Sequence, residues 1–310
     1  MAETTEIKMS IKDLYSACTL CPRECGVNRN AEQKGRCGMS AKLKVARAAL
    51  HMWEEPPISG ELGSGTVFFS GCPLSCVFCQ NSQISHEAGG KYIEVPRLAD
   101  IFLELQEAGA HNINLVTPTH FVPHIIEALD IAKSNGLTLP ILYNCGGYES
   151  VQTLKLLRGY IDIYLPDFKY LSADIAAKYS LCRDYSEKAK EALAEMVAQT
   201  GEPRFDENGI MRKGTVVRHL VLPGCTADSK DVIKYLHQTY GDDIYISIMS
   251  QYTPMDGIKE RFPELARKLT KYEYDKVVNF AADIGVTKGF TQYGSAAAES
   301  FIPSFDHTGV

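Results

Sequence analysis

From Thr66 onward the chain alternates two hydrophobic patterns. Short apolar runs predict strands at 67–69, 113–116, 139–143, 161–165, 216–222 and 244–249. Between them, apolar residues recur every three or four positions, which predicts helices at 97–108, 123–134, 151–157, 186–199 and 229–240. In the first helix Leu98, Ile101, Phe102 and Leu105 share one face, Pro96 suits the first turn, and Gly109 marks the end. Asn135-Gly136 stops the second. Strands separated by helices imply a parallel sheet with right-handed crossovers. Six such units fit an incomplete barrel or an open doubly wound sheet, and periodicity does not separate the two. The first 60 or so residues look irregular, including 41-AKLKVARAAL-50, and the turn-rich 54-EEPPISGELGSG-65 reads as a connection. There is no internal repeat and no low-complexity tract.

Polar and special residues collect where the strands end. They are Ser70-Gly71-Cys72, Thr117-Pro118-Thr119-His120, Asn144-Cys145-Gly146-Gly147, Asp167 and Lys169, Pro223-Gly224, and Gln251-Tyr252. Parallel α/β folds bind ligands outside the carboxyl ends of their strands. Loops are polar in any case, but that does not account for three thiols after the first strand.

Composition narrows the reading. The formal net charge of −6 gives no reason to expect a nucleic-acid partner, and no apolar run approaches the length of a membrane span. The first residues carry charges and no apolar signal core, so the cytoplasm is the expected compartment. Thiols there stay reduced, and clustered cysteines then indicate metal or redox chemistry. Seven of the ten cysteines fall in two clusters, and Cys145, Cys182 and Cys225 read as small buried hydrophobes.

In Cys72-x3-Cys76-x2-Cys79, three thiols follow the first strand within eight positions. Three thiolates can hold three irons of a cubane cluster and leave the fourth open. A structural zinc needs a fourth ligand, for which His86 is the near candidate. Unmetallated buried cysteines are the remaining alternative.

This motif, with Phe78 before its third cysteine, resembles the radical S-adenosylmethionine superfamily. Longer blocks are 54-EEPPISG-60, 65-GTVFFSGC-72, 78-FCQN-81, 112-NINLVTPTH-120, 160-YIDIYLPDFKY-170, 217-VRHLVLPG-224 and 247-SIMSQYTP-254. They resemble the subgroup labelled pyruvate formate-lyase-activating-enzyme-like, from Cys18 to about position 254. The resemblance implies an α/β fold, a partial (β/α)6 TIM-type barrel over 61–295. A cysteine-rich N-terminal segment, 1–60, would precede it and a tail, 296–310, would follow. That tail would fold over the barrel mouth or stay unpacked. The resemblance also implies a 4Fe-4S cluster on Cys72, Cys76 and Cys79 and S-adenosyl-L-methionine on the open iron. Reductive cleavage to a 5′-deoxyadenosyl radical would follow, with an electron donor such as flavodoxin or ferredoxin. The implied product is a glycyl radical on a partner enzyme. A peptide, an RNA or a small metabolite is the alternative substrate, and a non-catalytic metal-binding interaction protein is the alternative class.

The same resemblance gives residue roles. Phe78 would pack near the adenine, Asp167 would help hold a cation beside the methionine carboxylate with Lys169 as that carboxylate's direct electrostatic partner, and Arg218 would lie near the cofactor. Asn144-Cys145 stands where the activating enzymes carry Asp-Thr, so Asn144 offers a contact without their charge. Thr117 and Thr119 stand in place of a Gly-Gly-Glu and could accept from the cofactor ammonium, and His120 is a candidate proton partner. The other cluster, Cys18, Cys21, Cys25 and Cys37, could complete a closed zinc site or a second iron–sulfur cluster. Arg23, Arg29, Lys34 and Arg36 lie among these cysteines and would offset thiolate charge.

Overall fold

A computed structural model describes residues 13–292 and 303–310. Its strands are β1 (Lys44–His51), β2 (Ser64–Phe69), β3 (Lys91–Tyr92), β4 (Ile113–Val116), β5 (Ile141–Cys145), β6 (Ile163–Pro166), β7 (Arg204–Phe205), β8 (Met211–Leu220), β9 (Tyr245–Met249) and β10 (Gly289–Thr291). Across the sheet they run β10-β9-β8-β6-β5-β4-β2-β1-β3, with β7 hydrogen-bonded to β8. From β2 to β10 the neighbours on this path are parallel, while β1 and β3 add antiparallel edges beyond β2. The fold is α/β around a mostly parallel sheet, which stays open because no described pairing joins β10 to β3.

Every predicted strand and helix forms, shifted by a few residues. The helices are Val95–Glu107, Val122–Ser134, Val151–Leu156, Tyr185–Thr200 and Thr226–Tyr240. The first packs Leu98, Ile101, Phe102 and Leu105 into the core beneath β2 and β4. Two of the longer helices went unread. Ala173–Ser180 is capped by the Ser172 hydroxyl. Lys271–Asp283 starts at a reciprocal Thr270–Glu273 capping box, a signal present in the sequence.

The irregular reading of the first 60 residues is corrected by β1, which pairs with β2 from Val45 to His51. A register shift between Val45 and Arg47 buries Val45 and Ala46 side by side, so the strand lacks the two-residue alternation that would have announced it. The reading of 54–65 as a mere connection is corrected as well. Pro56–Ser59 is a short helix, and Ile58 is fully buried against Leu142, Ile163, Leu165, Met211 and Val216. This segment is the floor of the barrel.

Of the tail, 296–302 lies outside the described residues. Residues 303–310 lie along β1, where the Ala48 N–H donates to the Thr308 carbonyl at 2.9 Å and Arg47 pairs with Asp306 at 2.8 Å. The Phe305 ring meets Phe68 edge-on at 5.4 Å. No described helix is long and apolar enough to cross a membrane.

Ile58→Ala would leave a void at the barrel floor and is expected to cost about 2–5 kcal/mol, read by urea unfolding. A cost under about 1 kcal/mol would mean that 54–59 does not close the floor.

Candidate active site

The end of β2 delivers the chain into the loop of the three cysteines. Gly71 makes the turn with φ +87°, and a Cβ there would sit 2.6 Å from the Cys37 carbonyl oxygen, so only glycine fits. All three cysteines are free thiols. The Leu74 N–H donates to Cys72 Sγ at 3.4 Å, the Ser180 hydroxyl lies 3.0 Å from Cys76 Sγ, and the Ser85 hydroxyl lies 3.2 Å from Cys79 Sγ. Burial, reinforced by Cys76 and Cys79, pushes the Cys72 thiol well up. Burial also raises Cys76, against the pull of Lys169.

Below the loop, inward-facing residues of successive strands form a charged chain up the lumen. Arg218 of β8 donates to Glu54 Oε2 at 3.0 Å, to Asp167 Oδ1 at 3.0 Å and to Asn144 Oδ1 at 2.6 Å. Lys169 Nζ donates to Asp167 Oδ2 at 2.6 Å. Glu54 Oε1 accepts from Asn114 at 2.9 Å and Asn144 at 3.3 Å. Burial works against these charges, and the pairing overrides it. Lys169 and Arg218 hold Asp167 below the ordinary carboxylate range, and Asp167 holds Lys169 above the ordinary lysine value. Gly147 locks the top of β5 onto β6: its φ is +79°, and a Cβ there would lie 2.1 Å from the Asp167 carbonyl oxygen.

One cavity of about 240 Å³ joins the two halves. Cys72, Cys76, Cys79, Phe78, Thr117, Asn144, Asp167, Lys169 and Arg218 all line it. Of the residues singled out for the cofactor, Thr119 lies apart. It is buried, and its hydroxyl donates to Glu149 Oε1 at 2.9 Å, so it faces away from the ammonium contact expected of it. His120 is also buried, and burial drives it down to about 3, which leaves the ring neutral. Its Nε2 meets the Ser70 carbonyl at 2.7 Å, so it braces the base of the thiol loop.

The sequence reading missed several lining residues, Glu54, His51, Trp53 and Pro303 among them. Glu54 sat inside a quoted block but in a stretch read as connecting chain. His51, Trp53 and Pro303 border the cavity from β1, the segment after it, and the tail. Trp53, the single tryptophan, is 59% exposed there.

The thiol loop fits an iron–sulfur cubane. Three reduced soft ligands line one cavity, and two serine hydroxyls and a backbone N–H meet the sulfurs, which is the environment that tunes such a cluster. Among the described residues no three His, Cys, Asp or Glu side chains are placed to grip a single metal ion.

The sequence profile of the Radical SAM superfamily matches residues 66–236, more than half of the chain. The uncharacterised protein MJ0674 of Methanocaldococcus jannaschii is 29% identical over 292 residues, covering 89% of this chain and 78% of that protein. Among solved structures, Streptococcus suis SuiB bound to S-adenosylmethionine is similar in fold, with a TM-score of 0.50 at 12% identity. That match covers 73% of this chain and 49% of SuiB, so the chain spans about half the length of that neighbour.

Glu149 generates a pH prediction. Burial carries its carboxyl from 4.5 to about 7, although Thr119 and Tyr143 donate to it. A folded value above the unfolded one means that the native state holds the extra proton between roughly pH 4.5 and 7. Stability should therefore fall across that window by about 3 kcal/mol as pH rises. Glu149→Gln should remove this fall in urea titrations at pH 5 and pH 8. Parallel profiles for the two proteins would contradict it.

Proposed function

The chain belongs to the radical SAM superfamily, and from that premise we propose that it cleaves S-adenosylmethionine reductively and uses the radical to take a hydrogen atom from a substrate. The observation that carries this reading is the convergence of three free thiols with Asp167, Lys169 and Arg218 around one cavity at the strand ends. When bound, the cluster and cofactor supply an electron and a primary carbon radical, and the protein positions and excludes.

Cys72, Cys76 and Cys79 are the ligands in this reading. Lys169 presents its ammonium to the methionine carboxylate, and Asp167 holds that ammonium in place. Arg218 is tied on three sides and fixes Asp167 and Asn144 from below. Thr117 and Asn144 offer polar contacts, and Phe78, buried against Tyr170 and Tyr252, presents an aromatic wall for the adenine. A one-electron donor of the flavodoxin or ferredoxin kind provides the reducing equivalent.

The finer reading is that the hydrogen comes from a glycine of a partner protein. The resemblance of 54-EEPPISG-60 and 160-YIDIYLPDFKY-170 to activating enzymes supports it. So does a cavity bordered on one side by His51, Trp53, Gln251 and Pro303, through which an extended loop could enter.

Anaerobically reconstituted protein should produce 5′-deoxyadenosine from S-adenosylmethionine and dithionite, and Cys76→Ala should abolish it while the far-ultraviolet circular dichroism stays native. Turnover retained by Cys76→Ala would refute the ligand assignment. Asp167→Ala should weaken cofactor binding about tenfold or more, roughly 1.4 kcal/mol. If that variant alters thermal stability alone, Asp167 has no part in binding. A glycyl-radical doublet on a co-purified partner identifies the substrate class. Deuterium passing from a labelled metabolite into 5′-deoxyadenosine identifies the other.

A further inference from the structure

The three thiols of the loop meet donors of different kinds, and the connection at Cys76 runs deepest into the protein. Cys76 Sγ lies 3.0 Å from the Ser180 hydroxyl, which in turn lies 2.9 Å from the Tyr170 hydroxyl. All three residues are buried. A thiolate on iron accepts hydrogen bonds and cannot donate. The single Ser180 proton therefore points at Cys76 Sγ, and the Tyr170 proton points at Ser180 Oγ. In so buried a row the tyrosine polarises the serine and strengthens its bond to the sulfur.

The backbone holds the row in place. Ser180 ends the helix Ala173–Ser180, in the crossover between β6 and β8, and Leu181 caps it in the left-handed region at φ +51°. This helix end lies along the thiol loop. The Val77 N–H donates to the Tyr179 carbonyl at 2.9 Å, and the Ser75 N–H donates to the Ser180 carbonyl at 3.4 Å. Arg23, between Cys21 and Cys25, joins the two segments by donating to the Pro73 and Leu181 carbonyls, at 3.0 Å each. Backbone groups carry this pairing, so the two hydroxyls are not needed for it. At the far end Tyr170 follows Lys169, and its ring meets Phe78 at 6.4 Å.

We propose that Tyr170 and Ser180 are positioning residues that raise the reduction potential of the cluster, through a hydrogen-bond relay running from Tyr170 through Ser180 to Cys76. This rests on the cluster assigned above to Cys72, Cys76 and Cys79. Reduction adds one negative charge to the cluster and its sulfurs, and a donor aimed at a ligating sulfur stabilises that charge. The relay thus eases entry of the electron that cleavage of S-adenosylmethionine consumes.

Redox titration of the anaerobically reconstituted full chain, read by the electron paramagnetic resonance signal of the reduced cluster, tests this apart from turnover. Ser180→Ala should lower the midpoint potential, so that the reduced-to-oxidised ratio at a fixed poise falls about fivefold. Tyr170→Phe should lower it by less, and the double variant should match Ser180→Ala, because the tyrosine acts through the serine. Tyr179→Phe loses a hydroxyl on the same helix, one bonded to Glu264, and should leave the potential unchanged. Equal potentials in the unaltered, Ser180→Ala and Tyr170→Phe proteins, all with the cluster intact, overturn the proposal. So does an equal drop in Tyr179→Phe, or a double variant whose shift is the sum of the two. Should Ser180→Ala lose its cluster, Tyr170→Phe decides alone, and an unchanged potential there overturns the relay. An unaltered chain that takes up no cluster refutes the ligand assignment, and the relay with it.

Discussion

The structure depends on one chain of charges buried in the barrel lumen: Glu54, Arg218, Asp167 and Lys169 in alternating sign. Taking such groups out of water is costly, and their attraction offsets the cost only where geometry and extra hydrogen bonds are good. Here Asn114 and Asn144 fill the remaining acceptor positions of Glu54. The chain also does mechanical duty. Among the described residues no backbone pairing closes the sheet. Glu54, from the segment after β1, reaches across to Arg218 on β8 and ties the two sides together from within. Ile58, four residues on, seals the floor beneath.

That arrangement explains why the cavity has its two-part character. The lower lumen is occupied by this paired chain, so in the proposed reading cofactor and substrate bind above it, between the lysine end of the charge chain and the thiol loop. The loop is held from both sides. Its upstream turn presses on Cys37 through Gly71, and His120 grips the Ser70 carbonyl. The N-terminal segment is fastened to this loop through Arg23, which donates to the Pro73 carbonyl, Arg36, which donates to the Ser75 hydroxyl, and Arg29, which donates to the His120 carbonyl.

Much of this was legible in the sequence for physical reasons. Parallel strands buried on both faces give apolar runs, and their crossover helices give one apolar face, so β4 and the helix Val95–Glu107 were readable from pattern alone. The thiol trio was readable because its spacing has a chemical meaning. β1 was not, because its bulge breaks the alternation. Glu54 was not, because a proline- and glycine-rich stretch signals a turn, and only the fold shows that this turn dips into the lumen. Thr119 shows the opposite failure. It stands two residues from Thr117 in the same loop, yet the backbone turns at Thr117, φ +56°, and the two side chains part. Arg29 read as one of several cations offsetting thiolates, and its burial against the rings of Tyr15 and Phe121 could not be read from local sequence.

The central claim is that the Cys72, Cys76 and Cys79 loop carries a cluster with an iron left open to S-adenosylmethionine. Its most direct test is the electron paramagnetic resonance spectrum of the dithionite-reduced protein before and after S-adenosylmethionine is added. The account predicts that the cluster signal shifts on addition, and that the shift is lost when Cys76 is replaced. A reduced cluster whose spectrum is identical with and without S-adenosylmethionine would contradict it.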